Sequence, residues 1–247
     1  MIGRHRVVGF YLILLLSLWS LSALAQEGYV IQEETRMPPM FGEEGRTYII
    51  KTWMTEDKLR RDEGERGQTT IIRSDLGKIW VIDHADTTYS ELTQEMFQGL
   101  AVMGLMMFGV TLDSVTGKPI IPDPLFKKTG RRKSIGNWDC HEVVLSGGEA
   151  GLWNGLIDPV VMWVSGNTGL EKGLYGRLMR RMMGELGEEY DAFFKQLDTM
   201  EGYPVLLETR AMGIVVGQEL KSVERLAVSS SVFNLPAGYR KVDPFTE

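Results

Sequence analysis

The chain has 247 residues, with 27 Lys and Arg against 33 Asp and Glu, for a formal net charge of −6. An acidic balance excludes nucleic acid as the main partner, because phosphate backbones are held by basic surfaces, and it fits a protein that does not adhere to anionic membranes. The single cysteine, Cys140, leaves no internal disulfide to staple an exported domain.

Arg4 and Arg6 precede an apolar run from Val7 to Leu21, and Ser22-Ala23-Leu24-Ala25-Gln26 follows. A basic start, an apolar stretch and a small-x-small site are the parts of a Sec signal peptide, here with cleavage after Ala25. The apolar run partitions into the translocon while the arginines stay cytoplasmic. An uncleaved anchor is the rival reading, since Val7 to Ala25 is nearly long enough to span a bilayer. On the first reading residues 26–247 form a single periplasmic or secreted domain with no stable membrane span. Loss of Arg4 and Arg6 then takes the net charge from −6 to −8.

Strand signals come next. Thr47 to Thr55 is rich in β-formers, with Tyr48, Ile50, Thr52 and Met54 on one face. Lys58 to Asp62 continues after a turn. Gln68 to Arg73 and Lys78 to Asp83 flank Ser74-Asp75-Leu76-Gly77, the clearest hairpin in the chain. Asp83-His84-Ala85-Asp86 puts a histidine between two carboxylates, but without further ligands at a metal spacing, so loop polarity explains it better.

From Leu92 to Val110 the period becomes helical, and Gly99 to Val110 is apolar on every side. Such a helix must be covered all round or face something apolar that is not protein. Thr111 to Gly136 reads as a connector broken by Pro119, Pro122 and Pro124. It carries a basic patch of Lys127, Lys128, Arg131, Arg132 and Lys133. A solvated loop is the plain reading of that patch, and docking to an acidic surface or to lipid headgroups the sharper one.

Trp138 to Leu145 and Pro159 to Val164 are two further strands around the Gly-rich stretch Ser146 to Asp158. Cys140 and His141 are neighbours, yet adjacent strand residues point to opposite faces, which argues against a thiol nucleophile. Leu170 to Met200 is the longest helical pattern, with Gly184 and Gly187 inside it. Tyr203 to Arg210 and Val215 to Val228 close the chain as an antiparallel pair. About eight short strands with tight turns predict α+β: a curved antiparallel sheet, or half-barrel, whose concave face two helical insertions cover.

No Gly-x-Ser-x-Gly, His-Glu-x-x-His, Walker-type loop or Cys-x-x-Cys occurs, so the sequence supports neither an enzyme nor a cofactor. Methionine stands out instead. Met-x-x-Met-Met occurs at Met103, Met106 and Met107 and again at Met179, Met182 and Met183. Core filling, an adaptable apolar cavity and Cu(I) binding are all open to thioethers at this spacing.

Several short runs, in order, resemble a bacterial family of exported proteins known only as a domain of unknown function. They are Lys58-Leu59-Arg60, Ile71 to Asp75, Gly77 to Asp83 and Thr88 to Glu91, then Lys133 to Cys140, Val161 to Val164 and Pro236 to Tyr239. Such proteins look like relatives of the periplasmic lipoprotein carriers and sorting factors. The resemblance implies a half-barrel with a helical lid over an apolar cavity for acyl chains, and no catalytic residues. Together these readings predict a non-catalytic periplasmic protein that binds a lipid or other apolar small molecule. A packed structural module that meets an envelope protein partner is the alternative. The expected ligand-binding residues are Met96, Leu100, Met103, Met106 and Met107 from the lid. Tyr48, Ile50, Val81 and Trp163 are expected from the sheet.

Overall fold

The computed structural model describes residues 25–39, 44–107, 109–145, 159–174, 176–177, 180, 188–211 and 214–244. The segment expected as a signal, through Leu24, the stretch Ser146 to Asp158 and Met179, Met182 and Met183 lie outside the described residues.

Strands β1 (Ala25–Met37), β2 (Arg46–Met54), β3 (Lys58–Glu63), β4 (Gln68–Arg73), β5 (Lys78–Asp83) and β6 (Thr88–Leu92) form an antiparallel meander. Helix α1 (Gln94–Met107) follows, then a separate two-stranded hairpin of β7 (Thr111–Leu112) and β8 (Pro119–Ile120). A second antiparallel meander runs through β9 (Phe126–Ile135), β10 (Trp138–Leu145) and β11 (Val160–Ser165). Helix α2 (Asp191–Asp198) precedes its last two strands, β12 (Tyr203–Ala211) and β13 (Ile214–Ser229). The short β14 (Arg240–Val242) adds parallel to β6.

β13 joins the two meanders by pairing antiparallel with β1, from Ala25 opposite Ser229 to Arg36 opposite Gly217. The result is one open sheet of 12 strands, with β14 at one edge and β9 at the other. The hairpins β3–β4 and β4–β5 are built alike. Each turns through a 3-10 segment, Gly64–Arg66 or Ser74–Leu76, and ends on a left-handed glycine, Gly67 or Gly77. Glycine takes that conformation without the strain a Cβ would add, which favours both turns and hence the register.

Two apolar clusters seat the helices against the sheet. In one, Leu105 of α1 and Phe193, Phe194 and Leu197 of α2 pack with Val143, Met162 and their strand neighbours. In the other, Phe97 of α1 packs with residues including Ile31, Met54, Leu59 and Ile72. Elsewhere on the sheet Ile71, Trp80 and Ile82 are covered by Phe233 and the chain after β13. Among the described residues no helix is long and apolar enough to cross a membrane.

The expected strands are present, but one expectation needs correcting. The segment Thr111 to Gly136 is not a connector. It holds β7, β8 and the ten-residue β9, whose residues from Lys127 to Ser134 are all exposed. An edge strand covered on neither face loses the hydrophobic alternation by which strands are recognised. Of the second helical pattern, Leu170 to Met200, the described residues are helical at Leu174, Gly176, Arg177 and Arg180 and again at Asp191–Asp198, after a 3-10 turn at Glu188–Tyr190, while residues 181–187 lie outside the described residues.

Candidate functional site

Where β1 begins and β2 ends, Gly28 lets the two strands close on each other. A Cβ at Gly28 would lie 2.4 Å from the carbonyl oxygen of Met54 and 3.0 Å from Val228. The adjacent Tyr29 and Met54, with Leu59 of β3 and Ile72 of β4, are buried side chains of one cluster. Pairing sets Tyr29 opposite Met54, Met54 opposite Leu59 and Leu59 opposite Ile72, so strand register alone lines these four up on one face.

That row is the floor of a cavity of about 570 Å³. Leu174, half-buried, stands on its other wall with Glu171 and Arg177, and Arg225 of β13 completes the mouth. A volume of this size lies within the range that small-molecule pockets occupy. The rim is polar and internally paired. Lys58 Nζ donates to Asp57 at 2.9 Å and to Gln26 Oε1 at 3.0 Å. Arg225 pairs with Glu27 at 2.7 Å and Arg177 with Glu171 at 2.7 Å. Just behind, Arg73 grips Asp75 with two hydrogen bonds of 2.7 and 2.6 Å.

The hydrogen bonds from Arg73 hold the Asp75 carboxyl below its ordinary value, against the opposing push of burial. At Asp57 burial pushes the carboxyl up, but the Lys58 ammonium and the Thr55 hydroxyl outweigh it and hold it low. Both acids are thus charged at neutral pH. A second cavity, of about 320 Å³, shares Glu171 with the first and is lined by Ser165, Thr168, Lys172, Glu201 and Tyr203.

The residues expected from the sequence fall elsewhere. Tyr48, Ile50 and Trp163 are buried and Val81 is half-buried, but none lines either cavity. On α1, Met96 and Met106 are half-buried, while Leu100 and Met103 are 54% and 62% exposed. Met107 ends the helix, and its side chain lies outside the described residues. The helix therefore carries its apolar residues in two directions: Phe97 and Leu105 towards the core, Leu100 and Met103 towards solvent. The floor residues Met54, Leu59 and Ile72 were legible as strand core, but which of them meet space rather than neighbours depends on the far wall around Leu174, which no local pattern encodes.

The side chains that invited chemistry are otherwise engaged. His84 bonds Thr69 Oγ1 at 2.9 Å and the Tyr239 hydroxyl at 2.6 Å. Cys140 is buried, which pushes its thiol up, and Sγ donates to the Trp138 carbonyl at 3.5 Å. His141 Nε2 instead meets the Met200 carbonyl at 3.2 Å. Among the described residues no three of His, Cys, Asp and Glu gather as a metal site.

No family model matches the chain, and no curated protein does. Among solved structures it is similar to an uncharacterized conserved protein from Thermus thermophilus, at 7% identity and a TM-score of 0.47, over 92% of this chain and 96% of that one. It is also similar to a LolA superfamily protein from Nitrosomonas europaea, at 10% identity and a TM-score of 0.33, over 88% and 96%. A DUF1329 family protein from Desulfovibrio piger is similar at 11% identity and a TM-score of 0.34, over 88% and 93%. The structural neighbours thus include a LolA superfamily protein and a DUF1329 family protein, both at low identity. At these scores the likeness carries no argument about ligand or activity.

Proposed function

We propose that this is a non-catalytic binding protein for a lipid or other apolar ligand, exported to the periplasm, with its open sheet bowed as a half-barrel. The observation that carries the reading is the cavity at the start of β1. It has an apolar floor of Tyr29, Met54, Leu59 and Ile72 and a rim of paired charges. Such a site suits an amphiphile. The tail lies on the floor, where each buried methylene contributes about 0.8 kcal/mol, and the polar end meets Arg177 and Arg225 in water.

Export fits the same geometry. Cleavage after Ala25 would make Gln26 the first residue, and Gln26 already lines the cavity and accepts from Lys58. The processed end of the chain would then lie at the mouth of the site.

The test is titration with a dansylated fatty acid, read by fluorescence. The wild type should bind, and Ile72→Trp, which fills the floor, should lose binding at least about tenfold, the equivalent of a methylene pair or more. Met103→Asp should leave binding unchanged. Loss with Met103→Asp but not with Ile72→Trp would move the site to the α1 methionines, and no binding by the wild type would overturn the reading.

A further inference from the structure

Nine large apolar side chains stand exposed among the described residues, and five of them fall between Leu100 and Ile120. Leu100 and Met103 lie three residues apart on α1, hence on one helical face. Leu112, Val115 and Ile120 belong to the small β7–β8 hairpin and its turn. Val115 is 90% exposed. Its turn is built rather than loose: the Asp113 carboxylate accepts from the backbone of Val115 at 3.0 Å and of Thr116 at 2.6 Å. Gly117, at a φ of 69°, lets the chain return to β8. The turn holds an apolar side chain out into water.

The next strand, β9, carries Lys127, Lys128, Arg131, Arg132 and Lys133 and no acid, in a chain whose net charge is −6. Lys128 pairs with Glu201, Arg131 with Glu142, and Lys133 lies 4.1 Å over the Trp163 ring. Lys127 and Arg132 have no acidic partner among the described residues. Charge on an edge strand also blocks edge-to-edge pairing, but that accounts only for the cations, not for the exposed apolar side chains of α1 and the hairpin. α1, the hairpin and β9 have a common root, because Val102, Ile121 and Phe126 pack on the same cluster.

We infer that α1, the β7–β8 turn and β9 form one face that docks on an anionic bilayer surface. Isolated protruding side chains such as Val115 and Met103 enter the soft headgroup boundary, whereas a rigid protein partner would need a matching socket for each. The cations of β9 then meet lipid phosphates. The acidic remainder of the molecule is repelled, so the docked orientation is fixed. The net charge conceals this, since it averages a basic edge into an acidic whole.

Co-sedimentation with vesicles tests the inference, using phosphatidylcholine alone or mixed with phosphatidylglycerol. The purified protein should sediment with the mixed vesicles and at least about tenfold less with the neutral ones, with binding that falls as salt rises. Met103→Asp with Val115→Asp, and separately Lys127→Glu with Arg132→Glu, should each weaken binding about tenfold or more. All four sites are on the surface, and an unchanged melting temperature will show that the variants fold. Ile72→Trp should bind vesicles as the wild type does, which separates this face from the cavity. No sedimentation with the mixed vesicles, or full binding by both double variants, would overturn it. A specific crosslink from this face to an acidic protein, without vesicle binding, would also overturn it and assign the face to a protein partner.

Discussion

At the scale of single residues the molecule places charge with care. Glu33 is buried on β1, where the Tyr203 hydroxyl donates to it at 3.0 Å and Arg61 approaches to 3.5 Å. A buried carboxylate is tolerable only with such partners. At and just behind the cavity rim, Asp57 and Asp75 are held in their charged form. Asp75 is kept below its ordinary 3.8 by Arg73, with burial opposing. Asp57 is pushed up by burial, yet Lys58 keeps it below 3.8 as well. Because the folded values are the lower ones, the unfolded chain binds more protons in this window. The stabilisation is therefore complete above 3.8 and is lost as the pH falls through the folded values. Urea midpoints measured against pH should decline below about 4, and Arg73→Met should make the decline shallower. An identical acid limb in the variant would contradict the assignment to Asp75.

At the scale of elements, the legible strands were those with two-residue alternation or a turn signature. Tyr48, Ile50, Thr52 and Met54 alternate and are all buried. The hairpin at Ser74 to Gly77 is where the sequence put it, with Gly77 at a φ of 60°. β9 was not legible, because the eight residues of Lys, Arg, Ser, Thr and Gly between Phe126 and Ile135 carry no apolar period. β1 was missed for a different reason. Tyr29 and Ile31 alternate well enough, but prolines and glycines follow from Pro38 to Gly45, and the strand starts at the last residue of the segment expected as a signal. The element that positions the site depends on one close approach. Gly28→Val would place side-chain atoms against the Met54 carbonyl, already 2.4 Å from an added Cβ. Its expected cost is about 1–3 kcal/mol, the usual range for overpacking, measurable by urea unfolding. A neutral effect would mean that β1 and β2 part easily at the cavity mouth.

At the scale of the whole molecule, one sheet of 12 strands carries two separate surfaces. One is the cavity between the ends of β1 to β4 and the segment around Leu174. The other is the exposed face of α1, the β7–β8 hairpin and β9. The sequence concentrated attention on the methionines of α1, because a helix apolar on every side needs an apolar environment. The structure answers that need partly with core, through Phe97 and Leu105, and partly with an open surface, through Leu100 and Met103. The cavity itself was hidden, since its lining comes from strand ends and turns distant along the chain.

The most direct measurement is mass spectrometry of an organic extract of the protein purified from its native compartment, with Ile72→Trp alongside. The binding account predicts an apolar molecule in near-stoichiometric amount from the wild type and little from the variant. A clean extract from both, with the dansylated fatty acid also unbound, would leave the 570 Å³ cavity as a space for water and contradict the account.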